Sequence, residues 1–223
     1  MSLIEYPDSD LMMMDLADRL SSELKSALMT HDHVTFAVPG GTTPGPLFDT
    51  LSSLRLDWDR VTVMPTDERW VGPAHERSNA RLIRERLLTG PAAAARFRPL
   101  YVDGVTPEQA LAGLNAAVAP MMPINVLLLG MGADMHTASL FPGAPGLDAA
   151  LDATAPPLAV TRPAGQPEAR VTLTAPALWG ALSTHVVVTG DDKRAALERA
   201  SKLPVQEAPV HAVLTNATVH WAP

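Results

Sequence analysis

The sequence predicts an α/β fold: one doubly wound, mostly parallel sheet with helices on both faces. Three observations carry this. Short β-rich runs alternate with helical segments almost from end to end, the pattern of a parallel sheet built by crossover connections. Two of the runs, Val34–Val38 and Val126–Leu129, lead into glycine-rich loops, and the second is apolar at every position, as a strand buried on both faces must be. The 223 residues are 47% hydrophobic and contain no long linker, repeat or low-complexity segment, so 1–223 reads as a single domain with a sizeable core.

The elements follow in order. Residues 8–30 read as a helix capped by Asp8 or Ser9, with Leu16, Leu20, Leu24 and Leu28 on one stripe and Met12–Met14 as core filling. The strand Val34–Val38 enters the loop Pro39-Gly40-Gly41-Thr42-Thr43-Pro44, and a helix is expected near 46–53. Val61–Met64 is the next strand. A charged loop, Thr66–Pro73, leads to an amphipathic helix carrying Leu82, Ile83 and Leu87, which stops at Gly90-Pro91. Arg98–Val102 reads as a short strand, and Pro107 opens a helix to about Val118. After the central strand, 124–129, the segment TASLFPG reads as a short helix closed by Pro142 and Gly143. Its N-terminus would aim backbone N–H groups at the target of His136. The chain is then Ala/Pro-rich with little structure to about Pro157. Strands are expected at Leu158–Thr161, Arg170–Thr174, His185–Thr189, Val210–Leu214 and Thr218–Trp221, with helices over Ala175–Trp179 and from Asp191 to about Lys202.

Charge and composition narrow the function. The net charge is −7 and the pI near 5.4, with no basic stripe, which argues against nucleic acid and anionic membrane as partners. The absence of cysteine excludes disulfides, thiolate nucleophiles and zinc–thiolate sites. No apolar run approaches the length needed to span a bilayer, and the acidic N-terminal stretch is unlike a signal peptide, so a cytoplasmic protein is expected.

Three stretches carry candidate chemistry. In Gly40-Gly41-Thr42-Thr43 the glycines let backbone N–H groups converge on an anion and the threonines add hydroxyl donors; without a following Lys-Ser/Thr pair it is not a P-loop. Asp67-Glu68-Arg69 is a charge cluster just past a strand, where a carboxylate can orient a catalytic group and Arg69 can meet an anion. Asp134 and His136 follow the central strand. A carboxylate beside an imidazole holds its tautomer and raises its basicity. Gly130 and Gly132 start a dinucleotide fingerprint that Met135 breaks, Ser139 lies in no nucleophile elbow, and no ligand spacing for a metal occurs, so neither cofactor nor metal is expected. Of the remaining histidines only His75, in the charged loop, stands near a candidate site.

Together PGGTTP (39–44), TDERWV with SN (66–71 and 78–79) and GMGADMHTASLFPG (130–143) resemble the 6-phosphogluconolactonase family, and further fragments at Arg170–Thr174, Val188–Lys193 and Val219–Pro223 agree in order. The resemblance spans essentially the whole chain. It implies a Rossmann-like sheet and hydrolysis of 6-phospho-D-glucono-1,5-lactone in the oxidative pentose phosphate pathway, without a cofactor and with a phosphorylated sugar lactone as the only partner of a monomer or homodimer. On this reading His136 activates water, Asp134 or Asp67 holds the imidazole, and backbone N–H groups around Gly132, or Arg69, meet the oxyanion. The phosphate sits at Gly40, Gly41, Thr42 and Thr43 with Arg170 and Lys193 as charge partners. Two departures stand out: Met135 replaces the usual Gly before His136, and Pro39 replaces the usual Ser. The related glucosamine-6-phosphate deaminases would call for a Glu at the position of Phe141, and a sugar-phosphate sensor on the same fold would not need His136.

Overall fold

Short apolar runs separated by helices close into parallel pairs. In the computed structural model, which describes residues 1–223, the chain runs β1 (Ser2–Glu5), α1 (Ser9–Leu28), β2 (Val34–Val38), α2 (Gly45–Ser53), β3 (Val61–Pro65), β4 (Asp67–Arg69), α3 (Asn79–Arg86), β5 (Arg96–Phe97), α4 (Pro107–Val118), β6 (Val126–Gly130), α5 (Leu147–Leu151), β7 (Leu158–Thr161), β8 (Arg170–Leu173), α6 (Ala175–Trp179), β9 (Ser183–Thr189), α7 (Asp191–Ala200), α8 (His211–Leu214) and β10 (Thr218–Ala222). Seven strands form one parallel sheet in the order β1-β10-β9-β6-β2-β3-β5.

Alternation along the central strands divides the core between the two faces. Phe36, Val126, Leu128 and Val187 point to the side covered by α1, α2 and α3, where Leu16, Leu20, Leu24, Phe48 and Ile83 are buried. Ala37, Leu127, Leu129, Val186 and Val188 point to the other side, against α4, α5, α6, α7 and α8. This is the two-faced burial that a parallel sheet needs. No helix is long and apolar enough to cross a membrane.

The structure departs from the sequence expectations at five places. Asp67–Arg69 is a strand rather than a loop; with β8 and β7 it forms a small antiparallel sheet, which hangs from the carboxyl end of β3 because only Thr66 separates β3 from β4. The stretch TASLFPG is not helical: Met135 and Ala138 take φ of 65° and 47°, which a right-handed helix cannot propagate, and Thr137 and Leu140 form an isolated bridge. Leu147–Leu151, in the stretch expected to be unstructured, forms α5 and buries Leu147 and Ala150. The run ending at Leu214 is the short helix α8: Pro209 precedes it, and turning the chain there buries Val213 and Leu214. The strand expected at Arg98–Val102 lies earlier, at Arg96–Phe97, because Pro99 has no N–H to continue the ladder. The edge strand β1, too short to carry an alternation signal, was not anticipated.

A buried polar chain ties α1 to the far edge of the sheet. Tyr6 O–H donates to Asp15 at 2.5 Å and lies 2.9 Å from His220 Nδ1; His220 Nε2 is 2.9 Å from His185 Nδ1, and His185 Nε2 is 2.9 Å from Glu23. Burial alone would raise the Glu23 carboxyl; hydrogen bonds from His185 and Ser183 outweigh it and hold the acid below its usual range. Burial, and then the charge on His185, push His220 from 6.5 down to about 4. Between those values the unfolded chain holds a proton that folded His220 does not, so stability is complete above the upper value and is lost as pH falls through the lower one. Urea unfolding at pH 7 and pH 4.5 will show an acid loss of which of order 2 kcal/mol is absent in His220→Gln. An equal acid loss in both proteins would remove His220 from this account.

Candidate active site

The cleft follows from strand order. β2 and β6 lie side by side, yet the chain leaves β2 toward β3 and leaves β6 toward β9, on the opposite side. Ligands of open α/β sheets collect at such a divergence, beyond the carboxyl ends of the strands. Here a cleft of about 630 Å³ is lined by the loop Pro39–Pro44 after β2, by Gly130, Met131, Gly132 and His136 after β6, and by Asp67, Arg69, Arg77, Asn79, Phe141, Gln166, Arg170 and Lys193. That volume suits a small organic ligand. Every candidate residue except Asp134 lines it, and Asp134 stands directly behind His136.

The imidazole is held on three sides. Asp134 Oδ1 lies 2.5 Å from His136 Nδ1 and also accepts from the His136 backbone N–H at 3.2 Å. A carboxylate only accepts, so Nδ1 carries a proton, and in the neutral imidazole the lone pair is then on Nε2. Nε2 makes no hydrogen bond and opens on the cleft. Burial alone would raise the Asp134 carboxyl; its bonds with His136 outweigh that and hold the acid below its ordinary range. On the second side the Gly132 backbone passes so close that a Cβ there would overlap the imidazole and the Asp134 carboxylate. On the third side the Phe141 ring stacks on His136, centroids 4.0 Å apart and planes 19° apart.

The loop that carries His136 owes its shape to bonds from elsewhere. Met135 adopts the left-handed conformation, with φ of 65°. Its side chain packs on the core and its carbonyl accepts from Val210 N–H at 3.1 Å, contacts that oppose a strain of about 1 kcal/mol. Thr137 Oγ1 donates to the Gly130 carbonyl at 2.9 Å, and Ser139 N–H donates to Thr172 Oγ1 at 3.1 Å. Ser139 is fully buried and its hydroxyl donates to Asp67 Oδ2 at 2.5 Å. Of the two acids expected to hold the imidazole, Asp134 therefore does so; Asp67 anchors the loop and stands 3.8 Å from Arg170 Nη1. Gly132 N–H donates to the His136 carbonyl and Met135 N–H to the Gly132 carbonyl, so these two backbone donors are engaged within the turn.

Cations converge from three elements. Arg170, only 4% exposed, donates through Nη2 to Gln166 Oε1 at 3.1 Å and places its guanidinium carbon 5.9 Å from the Phe141 ring centre. Burial lowers its guanidinium from the ordinary value, and the nearby Asp67 opposes that. Arg69 donates through Nη1 to the Arg77 carbonyl at 2.5 Å, and Arg77 reaches Glu168 at 2.9 Å and Gln166 at 3.1 Å. Lys193, in the first turn of α7, makes no ion pair and faces the cleft. Glu68 does other work: it accepts from the backbone N–H groups of Arg69, Asn79 and Ala80 and from Ser78 Oγ, capping α3, and burial raises its carboxyl against the pull of those donors. Asn79 packs its amide on the bare Cα of Gly40 and donates to the Asp67 carbonyl at 2.8 Å, which fixes the glycine loop against α3. Arg77 and Gln166 were not legible in the sequence: each lies in a polar loop, and only the fold brings them together. His75, by contrast, does not reach the cleft; its Nδ1 accepts from the Arg77 backbone N–H at 3.1 Å.

Fold and site define an α/β protein with an imidazole–carboxylate pair at the edge of a cationic cleft. The comparisons place it further. Residues 7–221 match the family described as glucosamine-6-phosphate isomerases/6-phosphogluconolactonase, and the chain belongs to that family. A 6-phosphogluconolactonase of Rhizobium meliloti is 40% identical over 215 residues, 93% of each chain, and one of Pseudomonas aeruginosa is 41% identical over 214 residues, 93% of this chain and 89% of that one. A crystal structure of a 6-phosphogluconolactonase from Shewanella baltica, 31% identical, superposes with a TM-score of 0.96 over 100% of this chain and 97% of its own.

The approach of Gly132 to the His136–Asp134 pair gives a direct test. Gly132→Ala must push the imidazole or the carboxylate aside, and a displacement near 1 Å costs about 10²-fold in turnover. The far-UV spectrum and thermal midpoint should change little, because the added methyl meets side chains at the cleft rather than the core. Unchanged kcat in this variant would contradict the close packing described.

Proposed function

We propose that the protein hydrolyses 6-phospho-D-glucono-1,5-lactone to 6-phosphogluconate, with His136 as the base. The observation that carries this is the single imidazole whose Nδ1 is tied to Asp134 while Nε2 faces a cleft rich in arginine and lysine. A lactone carbonyl is already electrophilic and its leaving group stays tethered, so one base, one oxyanion partner and a phosphate anchor suffice. Nε2 takes a proton from water as its oxygen attacks C1. The tetrahedral oxyanion then collapses, the bond from C1 to the ring oxygen breaks, and the imidazolium returns the proton to that oxygen. The new carboxylic acid releases its own proton to solvent. The Gly132 and Met135 N–H groups are engaged within the turn, so the oxyanion meets Arg69 or another backbone N–H of the same turn. The phosphate sits at Gly40, Gly41, Thr42 and Thr43, paired with Arg170 and Lys193. The names of the relatives support the reaction, and Phe141 supports it against deamination, which would want an acid at that place. Retention of the Asp134–His136 pair likewise argues against a sensor.

Lactone hydrolysis, measured on freshly generated substrate and corrected for spontaneous opening, tests the proposal. His136→Ala should lower kcat by about 10²–10⁴-fold. Near-normal turnover in that variant would sink the assignment. Arg170→Ala should act mainly through KM, raising it by about tenfold or more as a charge-assisted contact is lost. If the variant binds as before and still separates phosphorylated from unphosphorylated lactone, Arg170 is not the anchor.

A further inference from the structure

We propose that Phe141 is a positioning residue for the acid–base step: its ring fixes the plane of the His136 imidazole and favours the imidazolium formed in the reaction. This rests on His136 being the base. A hydrogen bond at Nδ1 and an edge contact with Gly132 hold one side of the imidazole but leave it free to tilt about that side. A flat wall on its face removes the tilt, and Phe141 supplies one, with centroids 4.0 Å apart and planes 19° apart. Direction matters because Nε2 must point at the attacking water and then at the ring oxygen. The chain that carries the ring is itself fastened: Leu140, just before it, is fully buried and Ser139 is bonded to Asp67.

The ring also acts through charge. An aromatic face is negative, and a cation above it is stabilised. His136 is uncharged as the base and charged once it holds the water proton, so the stack is worth more after proton transfer than before. That difference lowers the barrier, whereas a contact of equal strength in both states would not. The Arg170 guanidinium carbon stands 5.9 Å from the same ring's centre. The one ring is thus within reach of both cations of the reacting state, which repel each other.

The test compares Phe141→Leu and Phe141→Met, which remove the ring, with Phe141→Tyr, which keeps it. The ringless variants should lose about 10- to 100-fold in kcat with KM within about threefold of wild type, and Phe141→Tyr should keep most of the activity. The second readout needs no substrate. In NMR spectra of the full-length protein the His136 ring protons should carry an aromatic ring-current shift that the ringless variants lack. Their titration midpoint should fall by about half a pH unit or more when the ring is removed. Wild-type kcat in both ringless variants, equal impairment of Phe141→Tyr, a loss confined to KM, or an unmoved midpoint would each overturn the proposal. Activity in His136→Ala would instead strike at the base, and the ring-current shift and midpoint would still report on the stack alone.

Discussion

The pairing of β2 with β6 is the constraint on which the rest depends. These strands are far apart in sequence, and Asn125 locks them together. Its side-chain carbonyl accepts from Thr35 N–H at 2.8 Å, its backbone N–H donates to the Thr35 carbonyl at 3.2 Å, and its own carbonyl accepts from Ser183 N–H at 3.2 Å at the start of β9. One buried residue thus sets the register of three strands. Because the chain leaves β2 and β6 on opposite sides, the loops that follow them are not covered by their own helices and both open on one cleft. The glycine loop and an imidazole line the same cleft for this reason.

The loop that carries His136 has almost no regular structure, and its shape is held by the small antiparallel sheet. Ser139 is held by Asp67 from β4 and by Thr172 from β8, while Thr161 from β7 donates to the Ser139 carbonyl at 2.8 Å. The left-handed residues Met135 and Ala138 would each cost about 1 kcal/mol in a free chain, and a loop fastened at several points can hold them. Asp67 links this fastening to the cation cluster, since the same carboxylate stands beside Arg170. The His136 loop and the arginine cluster are therefore not independent parts: both lean on one buried acid.

The protein is acidic as a whole, with a net charge of −7, yet its cleft gathers Arg69, Arg77, Arg170 and Lys193. Local fields dominate at such a site because solvent screens distant surface charge, while buried and half-buried groups act at short range. Gln166 Oε1 accepts from both Arg77 and Arg170 at 3.1 Å and Glu168 neutralises Arg77 from outside. The two polar loops flanking the cleft are therefore joined to each other through the groups that face the ligand.

The alternation of strands and helices, the buried central strand, the glycine loop and the Asp134–His136 pair are all legible in the chain before it folds. These features are local: periodicity, glycine punctuation and a spacing of two residues all act within a few positions of chain. Four things were decided only by the tertiary structure. The run ending at Leu214 became a helix because its side chains found a core to enter. The stretch after His136 stayed irregular because bonds from β4, β7 and β8 outcompeted helical turns. Asp67 was drawn to Ser139 and Arg170 instead of to the imidazole, and Arg77 was carried into the cleft by the start of α3. Each outcome turns on partners distant in sequence, whose positions are fixed by which strands lie side by side. Nothing in the local chain encodes that order as a pattern; it emerges when both faces of the sheet are buried at once.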